Sequence, residues 1–447
     1  MSIQAIGTKV VSTLGNKESL LPIMLKDGVD STALTVKSFK EGGIVEGTDR
    51  FIDEFGTQAI WIGGIPLYKK LIDLTAYKAA KINPTVDPRI IASPEYSSWA
   101  LENAKGIMSN SKNQSVKNAI ADCLKDGGTK AKKLYKGKII AATALTLATF
   151  FALTKSKQKN TKNTVMKEMS STVNDSFTKV TTTEPKIFSE FNKISSKKST
   201  SPAFKGAVSK LVDAVMFNPV HNMKIIDAGI TTERLACSRN KTEFAEHAIK
   251  EGSFLFFLYG FGNLLEKSIN NFSSKVLNKP IDLAIDVLMD EKFENALQNG
   301  KIALDVAKAP LKNGSLTDKL NFIANNADNA LVQAAKKSGI VSTVKDSAGN
   351  VHVDTSKYID MNAIDELAKN LKNIDLKYKM SNEPVKSFLN KSKALKVGSV
   401  MANIGVSCLF LGYIVPKAVY KYREMKTGST KFHVAEDIKN NNKKKDV

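Results

Sequence analysis

The four histidines and their acidic neighbours are the residues of this chain best suited to metal binding or acid–base chemistry. Glu243 and His247 lie four residues apart, on one face of a predicted helix, with Glu246 and Glu251 nearby. A di-metal carboxylate centre needs a Glu-x-x-His pair on each of two helices, and no histidine here has such a partner. We interpret these residues as a solvated charged turn of a helix, and predict no catalytic residues and no metal ligands.

Two glycine-rich stretches, 42–47 and 126–130, could bind phosphate. Neither has the GxxxxGK[ST] pattern, or the GxGxxG pattern after a strand, that would make such a match informative, so both are predicted to be turns. The three cysteines are far apart and form no CxxC pair, which argues against a disulfide framework and a thiolate zinc site. The sequence therefore predicts no cofactor and a protein that is not an enzyme.

The charge balance favours contact with a polyanion. The 447 residues include 66 Lys and Arg against 44 Asp and Glu, a formal charge of +22. Lysine serves diffuse attraction, whereas arginine suits bidentate recognition of phosphate or guanine. Anionic membrane lipids are thus favoured as partners and nucleic acid is less favoured, although a low-GC genome would also enrich lysine. The only arginines are Arg50, Arg89, Arg234, Arg239 and Arg423.

Two uncharged segments, 139–154 and 397–415, are predicted to be transmembrane helices. The first would form a helix about 24 Å long, short of the roughly 30 Å hydrocarbon core, but flanking lysines can snorkel to the surface. The second matches a bilayer in length and ends in tyrosines that suit the interface. A buried core helix is the alternative for each. The flanking lysines predicted to face lipid headgroups are Lys136, Lys138, Lys155, Lys157, Lys393, Lys396, Lys417 and Lys421.

Glycines mark two further features of the apolar segments. Gly398, Ala402 and Gly405 share a helix face on which another helix could approach closely, which allows self-association or a protein partner. The shorter apolar segments 56–68 and 252–265 are interrupted, so neither can span a membrane as one regular helix. Their interruptions are candidate breaks at membrane depth: Gly63, Gly64, Pro66, Gly260 and Gly262.

The predicted fold is mainly α-helical, with two transmembrane helices and one small β-hairpin near 340–354. Capping residues predict helix starts at Asn240 and Ser315, and an apolar stripe predicts a helix over 361–376. The regions expected along the chain are a helical region 1–138 containing the interrupted segment 56–68, a transmembrane helix 139–154, a Lys/Ser/Thr-rich linker 155–202 with short amphipathic helices, a helical domain 203–396 containing the hairpin, a transmembrane helix 397–415 and a basic tail 416–447.

The function that these features favour is that of an integral membrane protein acting through protein or anionic-lipid contacts. No cleavable signal peptide is evident, and balanced flanking charges leave the orientation open. If both long segments cross, the termini share one side and residues 155–396 lie opposite. Two alternatives stay open: an oligomeric transport or permeation component using 56–68 and 252–265, and a soluble basic protein that binds nucleic acid.

Overall fold

The structure is a computed structural model that describes residues 10–15, 19–104, 114–172, 219–311, 313–346 and 348–443. The fold is mainly helical, with a single small antiparallel sheet in the described residues, as predicted. The chain divides into two compact units, neither of them continuous in sequence. Unit 1 comprises Met1–Pro22, Lys70–Lys138 and Phe261–Gly405, and unit 2 comprises Ile23–Lys69, Ile139–Gly260 and Val406–Val447.

Unit 1 is built from short helices around an apolar core. Trp99, Ile120 and Ile302 are fully buried, as expected for large apolar side chains in a soluble domain. Its helices are Lys78–Ala80, Pro88–Ala92, Pro94–Glu102, Val116–Leu124, Phe261–Lys275, Ile285–Leu288, Glu291–Gln298, Lys301–Lys308, Leu316–Asn325, Ala330–Lys337 and Met361–Lys379, and it holds most of Val385–Leu409.

Two predictions from the local sequence of unit 1, a helix start at Ser315 and a β-hairpin, are confirmed. Ser315 and Asp318 form a reciprocal capping box at the start of Leu316–Asn325. Strands Thr343–Lys345 and Val351–Val353 pair antiparallel, so the predicted hairpin is present. The Asp346 carboxylate accepts hydrogen bonds from the backbone N–H groups of Ala348 and Asn350 and thereby closes the loop.

Unit 2 consists of long helices, and the first of them folds back on itself. Helix Leu21–Ala59 contains Gly43 at φ 81°, a left-handed conformation that glycine adopts without steric cost. The parts of the helix before and after Gly43 therefore lie side by side. The Gln58 amide of the second part donates to the Ser31 hydroxyl of the first at 3.0 Å. The predicted turn in 42–47 is therefore at Gly43. Unit 2 also holds most of Thr129–Thr172, Pro219–Ala236, Lys241–Leu255, Val415–Thr427 and His433–Lys443.

The structure adds detail to three predicted regions. The linker 155–202 is helical as far as Thr172, while its remainder, with the predicted boundary at its end, lies outside the described residues. The tail 416–447 contains two helices in its described part. The interrupted segments stay helical, because widened π-helical turns at Ile60–Gly64 and Phe256–Gly260 replace the breaks; two more such turns lie at Asp73–Tyr77 and Phe410–Ile414.

Candidate functional site: a buried charged network

The interior of unit 2 holds many charged side chains beside its apolar ones, which is unusual because charged residues are rarely buried unless they are paired. In its described part, nine carboxylates and six cations are buried: Asp30, Glu46, Asp49, Asp53, Glu54, Asp227, Glu243, Glu246 and Glu251, with Lys26, Arg50, Lys157, Arg234, Lys250 and Arg423. Large apolar side chains are exposed on unit 2, as they also are on unit 1: Leu25, Val36, Phe39, Ile44, Phe51, Ile62, Leu67, Ile140, Leu145, Phe244, Phe256, Leu409, Tyr413, Ile414 and Met425.

Arg423 joins two helices through two bidentate ion pairs. Its side chain is 0% exposed. Its Nη1 and Nη2 donate to the two carboxylate oxygens of Glu46, each at 2.8 Å. Its Nε and Nη2 donate to Glu246 at 2.7 and 2.8 Å. Only the planar guanidinium fork satisfies two carboxylates in this way, so a lysine could not replace it.

A second group of ion pairs continues from the first. Arg239 donates to both oxygens of Asp49, at 3.2 and 3.1 Å, and also pairs with Glu243. The Lys157 ammonium lies 3.4 Å from Asp53. These contacts connect helix Leu21–Ala59 with helices Thr129–Thr172 and Lys241–Leu255.

A third group surrounds Lys250 and Arg234. The Lys250 Nζ lies 2.6 Å from a carboxylate oxygen of Glu54, 3.3 Å from Glu251 and 4.0 Å from Asp30. Arg234 pairs with Glu251 and lies 3.6 Å from Asp53. Because each buried ion costs several kcal/mol of desolvation, the network is stable only while its partners are all present.

The ion pairs also make the network sensitive to acid. Burial alone would raise the pKa of Glu251, but Arg234 and Lys250 lower it to about 2. Burial would likewise raise the pKa of Glu246, but the hydrogen bonds and charge of Arg423 hold it below its usual value. A carboxyl whose folded pKa is depressed stabilises the fold above its unfolded pKa, near about 4, and that contribution is lost as pH falls.

This network corrects one interpretation and reveals a signal in the sequence. Glu243, Glu246, His247 and Glu251 are buried rather than solvated. Four of the five arginines belong to the network, whereas Arg89, in unit 1, is partly exposed and pairs with Asp87. In a chain that otherwise uses lysine, the rare arginines therefore mark buried carboxylates. The positions of the arginines in the sequence, as well as their small number, therefore point to the buried carboxylates.

A small cavity of about 20 Å³ lies beside the third group of ion pairs, with room for about one water molecule. Both interrupted apolar segments contribute to its wall, through Trp61 of 56–68 and through Phe254 and Leu258 of 252–265. Its polar wall is formed by Asp27, Glu54, Asp227, Arg234, Lys250 and Glu251. Segments 56–68 and 252–265 thus both line this cavity together with ionisable side chains.

The glycine positions differ in what surrounds them. Gly398 and Gly405 are exposed, and a Cβ on either would meet no atom within 4 Å, so this face is open within the described chain. Gly63 is similarly open, whereas a Cβ on Gly64 or Gly260 would contact nearby aromatic rings. A Cβ on Gly262 would lie 2.8 Å from the Asn403 amide nitrogen, so that glycine permits a close helix approach.

The flanking lysines fall into two classes. Lys157 is 3% exposed and lies inside the network, and Lys396 is buried with its ammonium 2.9 Å from Glu266. Lys138 pairs with Asp73. Lys417 and Lys421 are exposed, and the side chains of Lys136, Lys155 and Lys393 are half-buried.

Both predicted spans lie in helices long and apolar enough to cross a membrane. Each buries some polar residues and exposes some apolar ones. In 139–154, Thr146 is buried and Leu145 is exposed; in 397–415, Ser407 is buried and Leu409 is exposed. Phe150 and Leu411 are apolar residues of these segments that are buried.

The network also adjoins the ends of all four apolar segments. Lys157 follows 139–154 and Arg423 follows 397–415, and both side chains belong to the network. Segments 56–68 and 252–265 follow Glu54 and Glu251 of the same network.

Unit 2 thus combines a network of buried ion pairs, a water-sized cavity and all or part of four apolar segments that start or end at the network. No protein-family model, no curated protein and no solved structure matches this chain.

Proposed function

We propose that this chain is an integral membrane protein in which segments 56–68, 139–154, 252–265 and 397–415 all cross the bilayer, and that it acts as a transport or permeation component. The observation that carries the proposal is the network of buried ion pairs in unit 2, which lies beside apolar helices that expose large side chains. Exposed apolar side chains are unfavourable in water and favourable in hydrocarbon. Ionisable residues of membrane proteins almost always face the bundle interior and pair with one another, as they do here.

Transport explains the interior better than anchoring does. An anchor needs only apolar helices, whereas each buried ion costs several kcal/mol before pairing. Ionisable residues within a membrane protein mark pathways for ions or substrates, and single π-helical turns occur frequently at functional sites. Both features meet at the cavity, where Trp61 and Leu258 from two widened segments face Glu54 and Lys250.

If all four segments cross the bilayer, the residues that follow the two long spans lie on the same side of the membrane. Ser156 and Lys426 are exposed positions that follow the two long spans, and both lie at the network end of unit 2. We expect single cysteines at Ser156→Cys and Lys426→Cys, in a chain whose native cysteines are replaced by serine, to react with a membrane-impermeant maleimide from the same side of sealed vesicles.

Labelling from opposite sides would support two crossings and overturn the four-crossing arrangement. Gly63→Cys serves as the control for membrane depth. It is sterically free but lies within segment 56–68, so it is expected to resist the aqueous reagent until detergent is added.

Anionic-lipid binding is a second candidate, favoured by a groove on the surface of unit 2. The groove has a volume of about 550 Å³ and combines basic side chains of Lys37, Lys417 and Lys421 with apolar contact from Tyr413 and Ile414. A lysine beside a tyrosine at the end of a span suits the level of the headgroups. Lys37 and Lys421 pair with Glu41 and Glu424, which leaves Lys417 as the cation for a lipid phosphate.

Reversing two of these charges should weaken lipid retention. Each lysine near an anionic surface contributes roughly 1 kcal/mol, so Lys417→Glu with Lys421→Glu is expected to lower copurifying anionic phospholipid at least about tenfold in mild detergent. Lys224→Glu, away from the groove on helix Pro219–Ala236, is the control. Unchanged phospholipid content in the double variant would remove this candidate.

A further inference from the structure

The charges around the cavity do not balance. We define the Lys250 cluster as the polar wall of the cavity together with Asp30, whose carboxylate lies 4.0 Å from Lys250. It contains five carboxyl groups but only two cations, Arg234 and Lys250: Asp27, Asp30, Glu54, Asp227 and Glu251. If every group were ionised, three negative charges would lack a partner in a buried space, which is strongly unfavourable.

Asp30 is the carboxyl with the poorest partners. It is 1% exposed, and neither of its oxygens has a hydrogen-bond partner. Lys250 already donates to both oxygens of Glu54, at 2.6 and 2.7 Å, and is therefore closer to Glu54 than to Asp30. Lys26, one turn before Asp30, donates to the Phe257 carbonyl at 3.0 Å. Asp30 therefore has one long ion pair, at 4.0 Å to Lys250, and no hydrogen bond to offset its burial.

We propose that the Lys250 cluster is a proton-binding site in which Asp30 holds an exchangeable proton. Uptake of one proton from water converts the Asp30 carboxylate to a carboxylic acid and reduces the negative charge of the cluster by one. The cavity is large enough for one water molecule, and its wall includes Asp27, one helical turn before Asp30. This inference deepens the proposed transport function by naming its ligand, although the proton chemistry itself can be tested outside a membrane.

Burial and the neighbouring carboxylates together outweigh Lys250 in setting the pKa of Asp30. Burial raises the pKa of Asp30 to about 8; Lys250 opposes this shift, while Glu54, Glu251 and Asp27 reinforce it. Burial also raises the pKa of Asp227 to about 7 and that of Asp27 to about 6. Asp53, on the same helix, behaves oppositely: burial would raise its pKa, but Arg234 and Lys157 hold it well below its usual value.

Asp30→Asn and Asp53→Asn are a matched pair of variants. Both remove one buried carboxylate from helix Leu21–Ala59, and asparagine resembles a protonated aspartate in shape and charge. The full chain, purified in mild detergent, is examined by infrared spectroscopy for the C=O band of a protonated carboxyl, and by thermal unfolding from about pH 5 to about pH 9.

A group whose folded pKa is raised stabilises the fold below its unfolded pKa, and loses that contribution as pH rises through the folded value. We therefore expect Asp30→Asn to remove the protonated-carboxyl band that remains at about pH 8, where Asp27 and Asp227, with their lower pKa values, have largely lost their protons. We also expect it to leave the unfolding temperature unchanged in acid and to raise it above the wild-type value in alkali. Asp53→Asn should keep the band and lower the unfolding temperature throughout.

The proposal is overturned if Asp30→Asn keeps the band, or destabilises the protein as much as Asp53→Asn does. It is also overturned if replacing sodium by choline shifts the titration of the band, since a metal cation would then be the ligand. These outcomes are independent of membrane location, so failure here is distinguishable from failure of the transport proposal, which depends on sidedness and extraction.

Discussion

Replacing Arg423 by methionine is expected to cost about 3–5 kcal/mol of unfolding free energy, enough to unfold much of the protein. The change leaves Glu46 and Glu246 buried without their bidentate partner, because Arg423 supplies both ion pairs. The measurement is chemical denaturation of the purified chain in mild detergent. Arg423→Lys should recover little of the loss, since an ammonium cannot bind two carboxylates in a fork.

Lys421→Met, on the same helix, is the matched control. Lys421 is exposed and pairs only with Glu424, so its loss should change stability by no more than about 0.5 kcal/mol. Adding Glu46→Gln and Glu246→Gln to Arg423→Met should restore part of the stability, because the stranded charges are then gone. A cost below about 1 kcal/mol for Arg423→Met would show that the network does not hold unit 2 together.

Placing charges on the exterior of unit 2 should abolish membrane insertion. Ile140, Leu145 and Leu409 are 56%, 47% and 56% exposed, so lysine at each position leaves the packing of the interior intact. A lysine at the centre of a spanning helix costs about 3 kcal/mol, and three of them exceed what the remaining apolar surface can offset. We expect the triple lysine variant to leave the membrane fraction.

The control carries the same three charges on unit 1. Met289, Leu304 and Val351 are also exposed apolar residues, but unit 1 has an apolar core. Lysine at these positions should leave the protein in the membrane fraction. Equal loss of both variants would mean that added charge, rather than its position, causes release.

Much of unit 1 could be predicted from local sequence patterns, because its helices begin at side-chain caps and follow one apolar stripe. The capping box at Ser315 and the helix Met361–Lys379 are examples. The apolar segments 139–154 and 397–415 were equally plain, since their composition differs from that of the rest of the chain.

The network could not be predicted in the same way, because its partners are far apart in sequence. Glu46 and Arg423 are separated by 377 residues, and a glutamate in a charged helix normally predicts a solvated face. The π-helical turns were also missed, since glycines within an apolar run favour a break as readily as a widened turn. Only the confinement of arginine to a few positions pointed towards the buried carboxylates.

The central claim is that unit 2 is embedded in a membrane with its charges inside, and extraction of the wild-type chain tests it most directly. Membranes from cells expressing the full chain are washed with alkaline carbonate and with high salt, beside the variant Ile140→Lys, Leu145→Lys, Leu409→Lys. The account predicts that wild-type protein stays in the pellet through both washes and that the variant does not. Release of the wild-type chain by carbonate would contradict it, and would make the exposed apolar surface of unit 2 a contact for protein rather than for lipid.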